Sequence, residues 1–117
     1  MIIYIYIYIY YIYGRKDIPS VFIGLGSIYA MRRDYDKAIQ AFSLAIEIVP
    51  NIAEAYKRRG QTKAAKGLIK SALKDLTKTI SLKDEADSYY QRGLLYHQIR
   101  NYTRSLSDFQ KARQQGS

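Results

Sequence analysis

Two adjacent cations near the middle of the chain are the residues best suited to bind a ligand. Lys57 and Arg58 follow one another, and Gln61 lies three residues further on. An arginine donates two parallel hydrogen bonds to a carboxylate, a lysine adds a compact positive charge, and a glutamine amide donates a neutral hydrogen bond. These residue types indicate a carboxylate-binding site. The alternative interpretation is a solvated basic face that also includes Arg59.

A second set of cations has helical spacing. Lys70, Lys74 and Lys78 recur every four residues, so a helix would place them on one face. Such a stripe is suited to phosphate contacts, and the net charge of +9 favours acidic partners or nucleic acid. The residues between them, such as Ala72 and Leu76, have the character of a core, whereas single-strand binders interleave aromatic residues with the charges. Nucleic-acid binding is therefore the alternative function.

Residues that commonly perform catalysis are scarce. His97 is the single histidine and cysteine is absent, so no cysteine–histidine pair and no thiolate metal site can form. We interpret His97 as a groove or surface residue. The sequence predicts a protein that is not an enzyme and needs no cofactor or metal, and the absence of cysteine favours the cytoplasm or nucleus.

The first thirteen residues, MIIYIYIYIYYIY, differ from the rest of the chain. Ile and Tyr alternate without any charge or proline, a pattern with high strand propensity that is prone to aggregation in isolation. The run is about six residues too short for a helix that spans a bilayer, so membrane binding is not expected and a membrane tether is a minor variant. An AT dinucleotide repeat encodes this alternation, so the segment is interpreted as an artefactual leader. Packing as a helix against the first hairpin is the structural alternative.

Beyond Pro19 the sequence repeats. Aligning Gly26, Gly60 and Gly93 gives offsets of 34 and 33 residues. Twelve residues after each glycine comes a small residue, and four residues later a large apolar one: Ala38, Ala72 and Ser105, then Phe42, Leu76 and Phe109. A small residue lets two helices approach closely while the large one fills the neighbouring groove. The pattern therefore predicts stacked helix hairpins.

Local signals place the helices and their ends. Asp34 and Asn101 are expected to cap the second helices of the outer hairpins, and Gly67 to form the turn of the middle one. The predicted helices cover residues 20–32, 35–48, 53–66, 69–82, 86–99 and 102–115.

The first unit has the most regular pattern, with Phe22, Leu25, Gly26, Tyr29, Ala38, Phe42, Ala45 and Pro50 at their characteristic spacings. These residues resemble the tetratricopeptide repeat family, and the resemblance covers about residues 19–115. It implies an all-α fold, an α-solenoid of about three antiparallel helix hairpins. The implied organisation is a leader over residues 1–18, then units over 19–52, 53–85 and 86–117. The second unit is degenerate, because Lys63 replaces an aromatic residue and Asp84 stands where proline would end the hairpin.

The resemblance also implies a function, namely a scaffold or adaptor that binds a partner segment in a concave groove lined by the first helix of each hairpin. The groove residues that follow from it are Lys57, Arg58, Gln61, Tyr90, Gln91, Leu94 and His97. The expected partner is a protein or peptide with acidic or C-terminal carboxylate groups. Some co-chaperones of this family clamp the C-terminal Asp of heat-shock chaperones; this chain keeps Arg58 of that clamp, but Glu54 replaces a lysine. Uncapped array ends predict self-association as well.

Overall fold

Helix hairpins make up the chain beyond its leader. The computed structural model describes residues 2–13 and 18–116. The helices in these ranges are α1 (Ile2–Tyr13), α2 (Ile18–Met31), α3 (Tyr35–Ile48), α4 (Ala53–Lys66), α5 (Ile69–Leu82), α6 (Ala86–Gln98) and α7 (Tyr102–Gly116). Helices α2 and α3, α4 and α5, and α6 and α7 pair as hairpins that stack in chain order. The predicted all-α fold class is confirmed. Three predicted helices have the observed bounds, and the other three begin or end within two residues of them.

The repeated glycines are needed where the two helices of a hairpin touch. A Cβ atom added at Gly26 would lie 2.6 Å from the ring of Phe42, and one at Gly93 would lie 2.8 Å from the ring of Phe109. Separations below about 3 Å are repulsive, so any larger residue would force the helices apart. The spacing of 16 residues between the glycine and the large apolar residue therefore corresponds to a direct contact between the two helices of a hairpin.

The turns within the hairpins use the left-handed backbone region. Gly67 ends α4 with φ of 97°, as its sequence position predicted. The equivalent turns of the outer hairpins contain Arg33 and Arg100, with φ of 62° and 66°. Arginine carries a Cβ atom that crowds the backbone there, so these two turns carry a cost that glycine avoids.

The two predicted caps differ. The Asn101 side-chain oxygen accepts a hydrogen bond from the Arg104 amide at 3.3 Å, which confirms this cap. The Asp34 prediction is wrong, because the Asp34 carboxylate makes no capping bond in the described part of α3. It lies 3.8 Å from the ammonium of Lys37 instead, and this charge competes with the backbone amides for the carboxylate.

Helix α1 lies against α3. Its Ile and Tyr residues form a helix despite their strand propensity, which corresponds to the structural alternative considered for this segment. Ile2, Tyr4, Ile5 and Tyr8 are all more than half exposed. Residues 1 and 14–17 of the expected 1–18 leader lie outside the described residues. Among the helices that are described, none has the length and apolar character needed to cross a membrane.

Apolar contacts join neighbouring hairpins. Ala45 of α3 and Ala55 of α4 share a buried cluster at the first junction, and Leu76 of α5 and Leu95 of α6 share another at the second. Ser88 is buried at the start of α6, and its hydroxyl has no hydrogen-bond partner among the described residues.

Asp84 ties the loop after α5 to the C-terminal end of the array. Its carboxylate accepts a hydrogen bond from the Gln115 amide at 2.9 Å. This bond and one from the Tyr89 hydroxyl lower the pKa of Asp84 below its ordinary value, and the same contact raises the pKa of Tyr89. Asp84 therefore fixes the end of the middle unit through hydrogen bonds, whereas a proline would fix it through its rigid ring.

Candidate functional site

The first helices of the three hairpins, α2, α4 and α6, contact one another and form one layer. Lys57 connects two of them, because its ammonium lies 2.6 Å from the Asp87 carboxylate on α6. Arg58 connects α4 to α2, because its guanidinium donates to the Ser27 hydroxyl on α2 at 3.2 Å. The two adjacent cations of α4 thus point toward different neighbours in the same layer.

A cavity of about 340 Å³ brings Arg58 and Gln61 together beside Ser27. Met31 and Phe42 contribute apolar atoms to the same wall. A guanidinium and an amide over an apolar base provide donors for a carboxylate and a surface for the carbon atoms next to it. The Ser27 hydroxyl already donates its proton to the Ile23 carbonyl at 2.9 Å.

Acidic residues of the layer already pair with both cations. Arg58 donates to the Glu54 carboxylate one turn earlier, and Lys57 is paired with Asp87. The side chains of Arg58 and Glu54 are about half exposed, and exposed pairs of this kind contribute only about 0–1 kcal/mol. A guest carboxylate therefore has to displace an internal one, at a small cost.

A second, more apolar cavity of about 570 Å³ lies at the C-terminal end of the layer, between α6 and α7. Tyr90 and Leu94 line it together with Phe109. The rings of Tyr90 and Phe109 lie 5.8 Å apart at a tilt of 43°. Tyr90 is 49% exposed and Leu94 43%, so both offer apolar surface to a ligand.

Three candidate residues line neither cavity: Lys57, Gln91 and His97. Gln91 is half-buried on α6. His97 is exposed near the end of α6, where its ring meets that of Tyr102 edge-on at 5.5 Å. No group of three or more His, Cys, Asp or Glu residues able to hold a metal ion occurs in ranges 2–13 and 18–116.

Two buried ion pairs that we did not predict hold the layer in place. Arg59 donates two hydrogen bonds of 2.8 Å to the Asp75 carboxylate, and Arg92 does the same with Asp108. These bonds raise the pKa of both arginines above the ordinary value. Each pair joins the first helix of a hairpin to the second. A sequence signal existed, since both pairs are 16 residues apart and related by the repeat offset.

Each of these arginines also reaches the preceding hairpin. Arg59 donates to the Ser43 hydroxyl at 3.0 Å, and Arg92 donates to the Thr77 hydroxyl at 3.2 Å. Lys63 lies 3.0 Å from Asp75 as well, which accounts for a lysine where the outer units have tyrosine. Arg59 therefore belongs to the fold and not to a solvated basic run.

The lysine stripe lies on α5, outside the layer of first helices. Lys70 and Lys74 are exposed, and no ion pair to either is present in the described part of the chain. The Lys78 ammonium lies 5.9 Å from the centre of the Tyr56 ring. The stripe and the cavities thus occupy different surfaces.

Comparison with known proteins identifies the repeat. Family models described as tetratricopeptide repeat match residues 19–52 and 86–112, together slightly more than half of the chain. Tetratricopeptide repeat protein 36 of Danio rerio is 36% identical over 89 residues, which are 72% of this chain and 48% of that protein. Tetratricopeptide repeat protein 13 of Homo sapiens is 30% identical over 101 residues, which are 82% of this chain and 12% of that protein. The chain thus spans about half or less of the length of these curated relatives.

Solved structures have the same fold. A crystal structure of MamA superposes with a TM-score of 0.82 at 27% identity, covering 84% of this chain and 58% of that one. The first tetratricopeptide domain of Spaghetti (RPAP3), bound to the HSP90 peptide SRMEEVD, superposes with a TM-score of 0.80 at 16% identity. It covers 84% of this chain and 79% of that domain.

Proposed function

Because the chain belongs to the tetratricopeptide repeat family, generally a protein–protein interaction module, we propose that it binds an extended segment of another protein along α2, α4 and α6. The observation that carries this proposal is the presence of two different cavities, each lined in part by first helices of the hairpins. One holds the donors of Arg58 and Gln61, and the other exposes Tyr90 and Leu94. We assign the three units of the module to residues 19–52, 53–85 and 86–117, and its location to the cytoplasm or nucleus.

The guest carries a carboxylate and, at a distance along its chain, an apolar side chain. A carboxylate in the first cavity replaces Glu54 as the acceptor for Arg58, while the Gln61 amide supplies a further hydrogen bond. The apolar side chain enters the cavity lined by Tyr90. Lys57, Gln91 and His97 are proposed as contacts along the rim. The acidic HSP90 peptide of the RPAP3 domain has the chemistry of such a guest, which makes it a suitable first probe.

Selection from a displayed peptide library, followed by affinity measurement with the full chain, tests the proposal. Arg58→Gln and Tyr90→Ala each remove one anchor, and Lys74→Ala is the matched control on the exposed face of α5. A hydrogen bond to a charged group is worth about 1.5–3 kcal/mol, and burial of a large apolar side chain is worth a similar amount. Each groove variant should therefore weaken the selected peptide by about tenfold or more. If Arg58→Gln and Tyr90→Ala bound the selected peptide as tightly as Lys74→Ala and the wild type, the groove would be ruled out.

The peptide SRMEEVD separates a carboxylate guest from an apolar one. Its affinity is compared with that of the same peptide amidated at the C-terminus. If a terminal carboxylate occupies the Arg58 cavity, amidation weakens binding to the wild type and has little effect in Arg58→Gln. Equal binding of both peptides would show that the terminal carboxylate does not occupy the Arg58 cavity, since amidation leaves the Glu and Asp side chains of the peptide unchanged.

Exposed lysines support a second candidate function, the binding of nucleic acid. Lys70 and Lys74 lie one turn apart on α5 and have no ion pair among the described residues. Phosphate contacts release counterions, so binding of a labelled oligonucleotide should weaken steeply with added salt and with Lys70→Ala and Lys74→Ala. A library-selected peptide should retain most of its affinity under both changes.

A further inference from the structure

Three positions on the first helix of a hairpin are buried against the preceding hairpin. On α4 the outer two are Ala55 and Thr62, and on α6 they are Ser88 and Leu95, all less than 9% exposed. The position between them is Arg59 or Arg92, whose guanidinium reaches the hydroxyl of the preceding unit. These positions therefore define the face by which a unit joins the one before it.

The same face of the first unit is open and apolar. The equivalent residues of α2 are Val21, Leu25 and Ile28, which are 61%, 39% and 52% exposed even though α1 is present. Their spacing puts them on one stripe of the helix. Leu25 stands where the other units have an arginine, and Ala41 stands where they have its aspartate partner. The first unit thus has an aliphatic version of a face that is buried elsewhere in the molecule.

The last unit presents the complementary face. Inside the array Leu95 packs with Leu76, and Leu73 contacts the same cluster. The equivalents of Leu73 and Leu76 on α7 are Leu106 and Phe109. Leu106 is 58% exposed, and Phe109 lines the apolar cavity next to it. This surface corresponds to the one that receives the next first helix at the internal junctions.

We propose that two copies of this chain associate head to tail, with the α2 stripe of one copy on the α6 and α7 face of another. Ile28 of one copy then occupies, against Leu106 and Phe109, the place that Leu95 occupies within the array. The two surfaces are different, so the contact is heterologous and each added copy leaves one new face of each kind. Association therefore continues with concentration and does not stop at a closed dimer.

Charge substitutions on one face at a time test this proposal in the full chain. The double substitution Leu25→Glu and Ile28→Glu blocks the first face, and Leu106→Glu blocks the second. Thr103→Glu, at an exposed position of the same helix, is the matched control. Sedimentation equilibrium is measured from about 1 to 100 µM, the range in which modest apolar contacts associate.

The wild type and Thr103→Glu should increase in mean mass at least twofold over this range, whereas each blocked variant alone should remain monomeric. An equimolar mixture of the two blocked variants should form a 1:1 dimer and nothing larger, because each retains one intact face.

Three outcomes would overturn the proposal. They are a monomeric wild type at the highest concentration, association of both blocked variants as strong as in the wild type, and dimers of one blocked variant with itself. The second would assign association to another surface such as α1, and the third to a symmetric contact. Helical circular dichroism and retained affinity for a library-selected peptide establish that the Leu25 and Ile28 variant is folded. Phe109 borders both the association surface and the apolar cavity of the groove, whereas the Arg58 cavity contains no residue of the association surface. Peptide affinity measured below the association range, and its loss in Arg58→Gln, therefore test the groove separately from self-association.

Discussion

The buried pair of Arg92 and Asp108 gives the sharpest test of how the repeat is held together. Two hydrogen bonds of 2.8 Å join the two side chains, which are only 18% and 5% exposed. Asp108→Ala would leave the guanidinium largely buried, with the Thr77 hydroxyl as its remaining hydrogen-bond acceptor. Uncompensated buried charges cost about 3–5 kcal/mol. Since Arg92 retains some contact with water, we expect a loss of about 2–3 kcal/mol in the free energy of unfolding.

The first unit provides a natural replacement for the pair. At the positions of Arg92 and Asp108 it has Leu25 and Ala41. Replacing a buried ion pair by apolar residues is often neutral or stabilising. The free energy of unfolding of the double variant with Arg92→Leu and Asp108→Ala should therefore lie within about 1 kcal/mol of the wild-type value. It should be clearly higher than that of Asp108→Ala.

Urea unfolding followed by circular dichroism measures all three proteins. The expected order of midpoints is wild type and double variant close together, with Asp108→Ala clearly lower. A double variant as unstable as Asp108→Ala would show that the cost lies in lost packing and not in a stranded charge. A loss below about 0.5 kcal/mol for Asp108→Ala would refute the structural role of the pair.

Five further substitutions have specific expected outcomes. Gly24→Ala should stabilise the protein by up to about 1 kcal/mol, because no heavy atom of the described residues lies within 4 Å of the new methyl group. Gly26→Ala should destabilise it, because the new methyl group clashes with the Phe42 ring. Thermal unfolding compares the two variants. Ser88→Ala should raise stability by about 1 kcal/mol in urea unfolding, since it removes a buried hydroxyl without a partner. Arg33→Gly should raise the melting temperature, because glycine adopts positive φ without strain. The pKa of Asp84 is lowered in the folded protein, so the charged carboxylate stabilises the fold relative to Asp84→Asn. Urea unfolding should show a constant difference in stability between the two proteins above about pH 5, and a smaller one as the pH falls below about 4. A difference that grew on acidification would contradict the assigned hydrogen bonds.

The fold was predictable because its signal is periodic. Gly26, Gly60 and Gly93 mark where helices touch, and the large residues 16 positions later fill the contact. The glycine lies on the first helix of each hairpin and the large residue on the second, so the pattern predicts both helices. Helix α1 was not predictable in this way, because its alternating Ile and Tyr residues favour a strand locally, whereas the structure has a helix that lies against α3.

The candidate site was only partly predictable. Lys57 and Arg58 have the residue types for binding a carboxylate, and the structure places both in the layer of first helices. The pairing of Lys57 with Asp87 depends on a neighbouring hairpin, which a sequence pattern does not specify. Glu54 lies four residues before Arg58, a spacing at which the two side chains meet on a helix. The Asp34 carboxylate does not cap α3 and lies 3.8 Å from the Lys37 ammonium instead.

Mapping a library-selected peptide onto the chain by backbone amide chemical shifts tests the central claim most directly. We expect the largest chemical-shift changes on α4 and α6, around Arg58, Gln61 and Tyr90, with smaller changes at Ser27 on α2. Changes concentrated instead on the exposed face of α5, around Lys70, would contradict the groove and move the binding site to the lysine stripe.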